Sequence, residues 1–263
     1  MLSNKGLEKV QDLGIVHGFP NMLKKELGFW FGKSKIGIII SIFSLIIVNA
    51  ILAFSLWMPE NPIPENGSSA MLPILSTLVF FVAIIMLLGS IIGEDKMGTS
   101  EWVMSKPITR ESYILSKIVG NWLGIFITVV IIQTIFGLIH TLIASGGIPN
   151  LLYLSEGIAL IGLKLLFFVS LMIFLGTLLQ SRAAILAIIF FLAVIQMILT
   201  NQLNKVNQWL PLLLPNKFNP LIQSFGLGQR TPFDMWYLPM ISVAFLTGVC
   251  IVLSILLFKR KEF

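Results

Sequence analysis

The chain is short of charge. Of its 263 residues only 11% are Asp, Glu, Lys or Arg, against about a quarter in an ordinary soluble domain. Hydrophobic residues make up 56%, and the mean hydropathy is +0.93. A soluble fold is excluded on these numbers, and the chain reads as an integral membrane protein. Cysteine is nearly absent: Cys250, alone in an apolar run, leaves no disulfide framework and no cysteine-rich metal site within one chain. It reads as a small buried hydrophobe. The first twenty residues lack the continuous apolar core and cleavage pattern of a signal peptide, so none is expected. The apolar runs contain no carboxylate. That weighs against an ion-coupled secondary transporter with buried acidic relays. No nucleophile with a base, metal site or carboxylate pair falls inside them, which weighs against an intramembrane enzyme.

What is present is six long apolar runs. Each of Ile36–Trp57, Met71–Ile92, Ile118–Ile143, Ile158–Leu179, Ala183–Thr200 and Trp236–Phe258 approaches or exceeds the roughly 20 helical residues that cross a bilayer. Only Gln180 to Arg182 separates the fourth from the fifth, which predicts an antiparallel pair. The expected fold is all-α and polytopic, a single transmembrane domain over 1–263.

The net charge of +6 is distributed as membrane orientation requires, and no nucleic-acid partner is expected. With the N-terminus in the cytoplasm, fourteen Lys and Arg fall inside and only Lys205, Lys217 and Arg230 outside. The remaining cation, Lys164, lies within the fourth run. Both termini are therefore predicted to be cytoplasmic, in a multi-pass protein of the cell membrane.

Three segments outside the spans carry structure of their own. In the N-terminal part, 1–35, Met22, Leu23, Leu27, Trp30 and Phe31 recur at helical spacing with Lys24, Lys25 and Glu26 on another face. This predicts an interfacial helix before the first span. "GFWFGKS", Gly28 to Ser34, imitates a phosphate loop but has three residues between its glycines. It has no preceding strand and leads into a span, so no nucleotide site is expected. On the outer side, 201–235 holds apolar pieces cut by Pro211, Pro215 and Pro220. They are too short to cross and suit a short re-entrant helical hairpin.

The third segment is the most specific. "GEDKMGTSEWVMSKPITRESYILSK", Gly93 to Lys117, carries four acids and four bases between two long uncharged runs. Gly98 suits the end of a helix leaving the second span. Thr99 or Ser100 is predicted to cap a new helix, with Glu101 in its first turn. Pro107 ends it. Thr109 caps the next, with Glu111 in its first turn. The outcome is a peg of one or two turns, "TSEWVMS", presenting Glu101, Trp102, Val103 and Met104 to another protein.

The pattern G-E-D-x-x-G-T-x-E-x-x-x-x-x-P-x-x-R-x-x-x-x-x-x-K resembles the loop after the second span of type-2 ABC exporter permeases. "KKEL" at Lys24–Leu27, the six-span plan and the long segment before the last span are also similar to that family. The "GED" version is similar to the branch serving nitrous-oxide-reductase copper-site maturation. The resemblance implies a type V ABC exporter-like fold and a separate cytoplasmic ATPase dimer that binds ATP and Mg. It implies no cofactor and no catalysis in this chain. It makes the peg a coupling helix and Glu94, Gly98, Thr99, Glu101, Trp102, Pro107 and Arg110 the coupling residues. It also implies a second permease copy, identical or related, with the outer segment closing the external mouth. Trp102 departs from the aliphatic residues usual after the glutamate, so the exact fit to the ATPase does not follow from the resemblance. A membrane scaffold or immunity protein without transport is the other class the sequence admits.

Two basic groups fall inside spans. Lys164 is predicted near the outer end of the fourth, within snorkelling distance of the interface and helped by Glu156, or else on a substrate path. His140 is expected at the interface and not as a metal ligand.

Overall fold

A computed structural model describes residues 17–32, 36–57, 68–88, 90–145, 150–179, 181–202, 222 and 237–260. Every element in it is helical. In chain order these are α1 (Phe19–Phe31), α2 (Ile36–Trp57), α3 (Ser68–Leu87), α4 (Ser90–Lys96) and α5 (Thr99–Met104). They are followed by α6 (Arg110–Ile125), a π-helical turn (Phe126–Ile131), α7 (Ile132–Ser145), α8 (Leu151–Leu178), α9 (Arg182–Gln202) and α10 (Tyr237–Lys259). The six expected apolar runs are helical over their described parts except at Leu88, a turn between α3 and α4, and Leu179, which ends α8.

Among the described residues four helical stretches are long and apolar enough to cross a membrane: Met71–Lys96, Arg110–Ile139, Leu151–Leu178 and Pro239–Lys259. A fifth is counted if Phe19–Phe31 and Ile36–Ala50, bent by 48°, make one broken span. The apolar part of α9, Arg182–Leu192, is shorter. The outer segment expected as a re-entrant hairpin lies, but for its first two residues and Ile222, outside the described residues.

The bundle is organised around α8. This helix is apolar on every side, so it can bury on every side, and α3, α6 and α10 pack against it. Asn150 caps its start, accepting a hydrogen bond from the Leu152 N–H at 3.0 Å. The core carries Leu75, Val79, Ile161, Leu165, Val169 and Val243, all fully buried. Phe80 and Phe168 meet edge to face at 4.8 Å.

Helix α1 is present where expected, but its apolar stripe is divided. Met22, Glu26 and Trp30, one turn apart, are buried against α6, whereas Phe29 and Phe31 are exposed. Gly18 meets Ile108, Glu26 meets Gly120 and Trp30 meets Gly124. The two helices therefore run side by side in the same direction. Gly120 and Gly124 make this possible: a side-chain carbon on either would overlap Glu26 or the Trp30 ring. Small residues four apart let helices approach closely. Trp30, expected at the lipid interface, is inside protein. Its indole N–H donates to Asn121 Oδ1 at 3.2 Å.

The third apolar run is not one regular helix. The π turn between α6 and α7 adds a wide turn near the stacked Trp122 and Phe126. Gln133, just beyond, donates to the Ser41 carbonyl of α2 at 2.9 Å. This ties the irregular turn to its neighbour.

Candidate functional site: the loop-face peg and its base

The peg forms where the local chemistry puts it. Helix α4 ends at Lys96, and Gly98 follows with φ +66°, the left-handed conformation that glycine adopts without steric cost. α5 then runs from Thr99 to Met104. Its cap differs from the expectation: Gly98 occupies the N-cap position, and no side chain caps the helix. Ser100 is unavailable for that role. It is fully buried, with its hydroxyl 3.4 Å from the Tyr113 hydroxyl. Pro107 follows the peg as predicted. Thr109 caps α6 as predicted, accepting from the Ser112 N–H at 3.3 Å.

The seven residues expected at one docking surface separate into two groups. Glu101, Trp102 and Pro107 are exposed, with Trp102 62% accessible beside Met97 at 74%. Lys106 places its ammonium 3.5 Å from the centre of the Trp102 ring, a cation–π contact. Val103, on the opposite face, is buried. The tip therefore offers an aromatic plate with one charge of each sign beside it. Gly98 and Thr99 form the hinge at its start.

Glu94 and Arg110 turn inward. Glu94 lies 2.9 Å from Lys117 and 3.2 Å from Lys25, and accepts from the Tyr113 hydroxyl at 2.5 Å. Lys117, 1% accessible, also pairs with Glu26 at 3.4 Å. Lys25, Glu26, Glu94 and Lys117 thus balance two charges of each sign where α1, α4 and α6 meet, with Glu26 and Lys117 buried and Lys25 at the open edge. A buried ion persists only when paired and hydrogen-bonded, and here each charge has more than one partner. Arg110 caps the far end of the chain. Its guanidinium donates to the carbonyls of Phe258 and Lys259 at 3.2 and 2.5 Å. Glu111 pairs with Lys259 at 2.5 Å, and Tyr113 stacks on Phe258 at 4.9 Å. Glu94 and Arg110, expected from the sequence among the coupling residues, thus lie at the base of the peg and not at its exposed tip.

Sequence reasoning missed the partners Tyr113, Asn121, Phe258 and the Glu26–Lys117 pair. One signal was available: Met22, Glu26 and Trp30 share a helix face, and a carboxylate between two apolar groups requires a buried cation nearby.

Lys164 corrects its expectation. α8 begins at Leu151 and not near Ile158, so Lys164 sits midway along a 28-residue helix at 3% accessibility. It is enclosed by protein, roughly 20 Å along the axis from either end of the helix. Glu156 is about 12 Å off along the axis, too far to pair directly. The ammonium instead donates to Ser76 Oγ of α3 at 2.7 Å. The side chain of His140 lies outside the described residues. Among the described residues no group of three or more His, Cys, Asp or Glu is placed to hold a metal.

Fold and site together define an all-helical protein with several membrane-capable helices and a projecting charged loop. A family model described as "Protein of unknown function (DUF2705)" matches residues 35–263, and the chain belongs to that family. No curated protein matches the chain.

Proposed function

We propose that this chain is the permease subunit of an ATP-driven ABC transporter, an exporter by resemblance, whose loop at 93–117 docks a separate cytoplasmic ATPase dimer. In this reading ATP and Mg bind in that partner. The observation that carries the reading is the division within the loop. A short helix with an exposed Trp102 stands on a base whose charges are internally balanced. An exposed tryptophan beside a lysine and a glutamate suits a protein cleft far better than water or lipid, and a neutralised base lets force on the tip move the helices beneath it.

The fuller plan follows as part of the proposal. Six spans with both termini cytoplasmic place the peg inside the cell, where ATP is. α1 stands at the inner membrane boundary with Phe29 and Phe31 toward lipid. Two permeases, identical or related, pair through the first, second and fifth spans, and the outer segment 201–235 closes the external mouth. Midway burial of Lys164 supports a second reading. An ionisable group at bundle depth also suits an ion-coupled transporter, with Lys164 on the substrate path.

Co-purification from the native membrane separates the two. Wild-type chain should retain an ATPase, and Trp102→Ala combined with Glu101→Lys should lose it while remaining folded. Retention of the same ATPase by the double variant would remove the docking reading. A single cysteine at Ser105→Cys, in a Cys250→Ala background, should react with an impermeant thiol reagent only after permeabilisation. Labelling in intact cells would reverse the orientation.

A further inference from the structure

The peg is joined to the far end of the chain by contacts that its docking role does not require. Arg110, Glu111 and Tyr113 occupy the first turn of α6, directly after the peg. Each engages the last turn of α10, 148 or 149 residues away for the two Arg110 bonds. The three contacts differ in kind. Arg110 supplies hydrogen-bond donors to carbonyls that a helix C-terminus leaves without intrahelical partners. Glu111 balances Lys259. The Tyr113 ring lies nearly flat on fully buried Phe258, with 13° between the planes. Tyr113 then reaches two further elements through its hydroxyl: Glu94 before the peg and Ser100 inside it. One side chain thus touches the last helix, the segment leading into the peg, and the peg itself.

We infer that the C-terminal turn of α10 is a strut of the peg, fixing its attitude and moving with it. The link is a property of the chain alone. Its use, to carry a push on the peg into the last helix, rests on the docking reading above. Transmission on this route would reach a membrane helix remote in sequence, in addition to the helices that flank the loop. Mechanically linked elements bias each other reciprocally, so loosening the α10 end should free the peg.

The test uses the full chain in lipid nanodiscs with a nitroxide on Trp102→Cys, in a Cys250→Ala background. Phe258→Leu and Lys259→Ala are introduced separately at the other end. The strut predicts that each lowers the rotational correlation time of the peg label at least two-fold. Arg260→Ala, one residue beyond the contacts, should leave it unchanged. A second label at Ile241→Cys, an exposed site at the opposite end of α10, should not respond to any of the three. Unchanged peg mobility in both variants overturns the inference. So does an equal response to Arg260→Ala, or a matching rise at position 241, which would report general loosening. No ATPase is present in this experiment, so failure to find one leaves its outcome intact, and failure of the strut leaves docking untouched.

Discussion

Glu94 and Glu101 stand seven residues apart in one loop and meet opposite fates. Glu94 is drawn into a buried cluster with Lys117, Lys25 and Tyr113; Glu101 stays in the open beside Trp102. Both are acids in a short polar segment, and local sequence gives little reason to separate them. The difference lies in what faces them. Glu94 lies in the last turn of α4, within reach of cations from α1 and α6; Glu101 is on the outer side of a helix whose inner side is filled by Val103 and Ser100. Base and tip are thus distinct materials, one a closed charge network and the other an open surface, and mutation should affect them differently.

The comparison is broken most severely at Lys117. Lys117→Met leaves Glu26 and Glu94 facing each other with only the half-exposed Lys25 beside them. Loss of one partner from a buried pair costs about 3–5 kcal/mol. Thermal unfolding in detergent should show a large fall in Tm, and Glu94→Lys should fall comparably. A Tm within a degree or two of wild type for either would mean that the base is solvated and not a buried network.

Next is the contact that brings α1 to the base. Gly124→Ala inserts a methyl group where the Trp30 ring lies. Overpacking of this kind costs about 1–3 kcal/mol, and quenching of Trp30 fluorescence by a headgroup-level quencher should rise as the ring is expelled. Unaltered stability and quenching would show that α1 does not seat on α6.

At the tip the expected stability effects are small. Trp102→Ala removes an exposed ring and should stay within about 0.5 kcal/mol of wild type, while abolishing ATPase capture. The same variant falling as far as Lys117→Met would erase the distinction between tip and base. The smallest effect is expected at Lys106→Gln, which removes a cation–π contact of about 0.5–1 kcal/mol at an exposed site. It should weaken the ATPase complex less than Trp102→Ala does. A greater loss would make the charge, and not the ring, the principal contact.

Much of the loop was legible because its signals are local. Gly98, Pro107 and Thr109 act through their own backbone preferences or nearest neighbours, and the structure uses them as breaks and a cap. The Thr99 or Ser100 cap failed for a tertiary reason: Ser100 is turned inward under Tyr113, so its hydroxyl is directed away from the helix start. Lys164 was misplaced because Glu156, Ser155 and Tyr153 dilute the hydropathy at the beginning of α8. A window average reads them as loop, while Asn150 in fact caps a helix that starts about two turns earlier, at Leu151. The burial of Glu26 was hidden because a charge within an amphipathic stretch normally signals the wet side.

The sequence by itself determined that this is an all-helical protein with several membrane-capable helices, and that a short helix interrupts the charged loop. Those follow from composition, hydrophobic run length and turn chemistry, which act over a few residues. Tertiary structure alone decided which charges are drawn into the base and which stay exposed at the tip. That choice depends on groups meeting from distant points of the chain: Glu26 with Lys117, and Arg110 with the carbonyls of Phe258 and Lys259. A charge becomes cheap to bury only when its counter-charge is already held in place, and only the packed helices supply that.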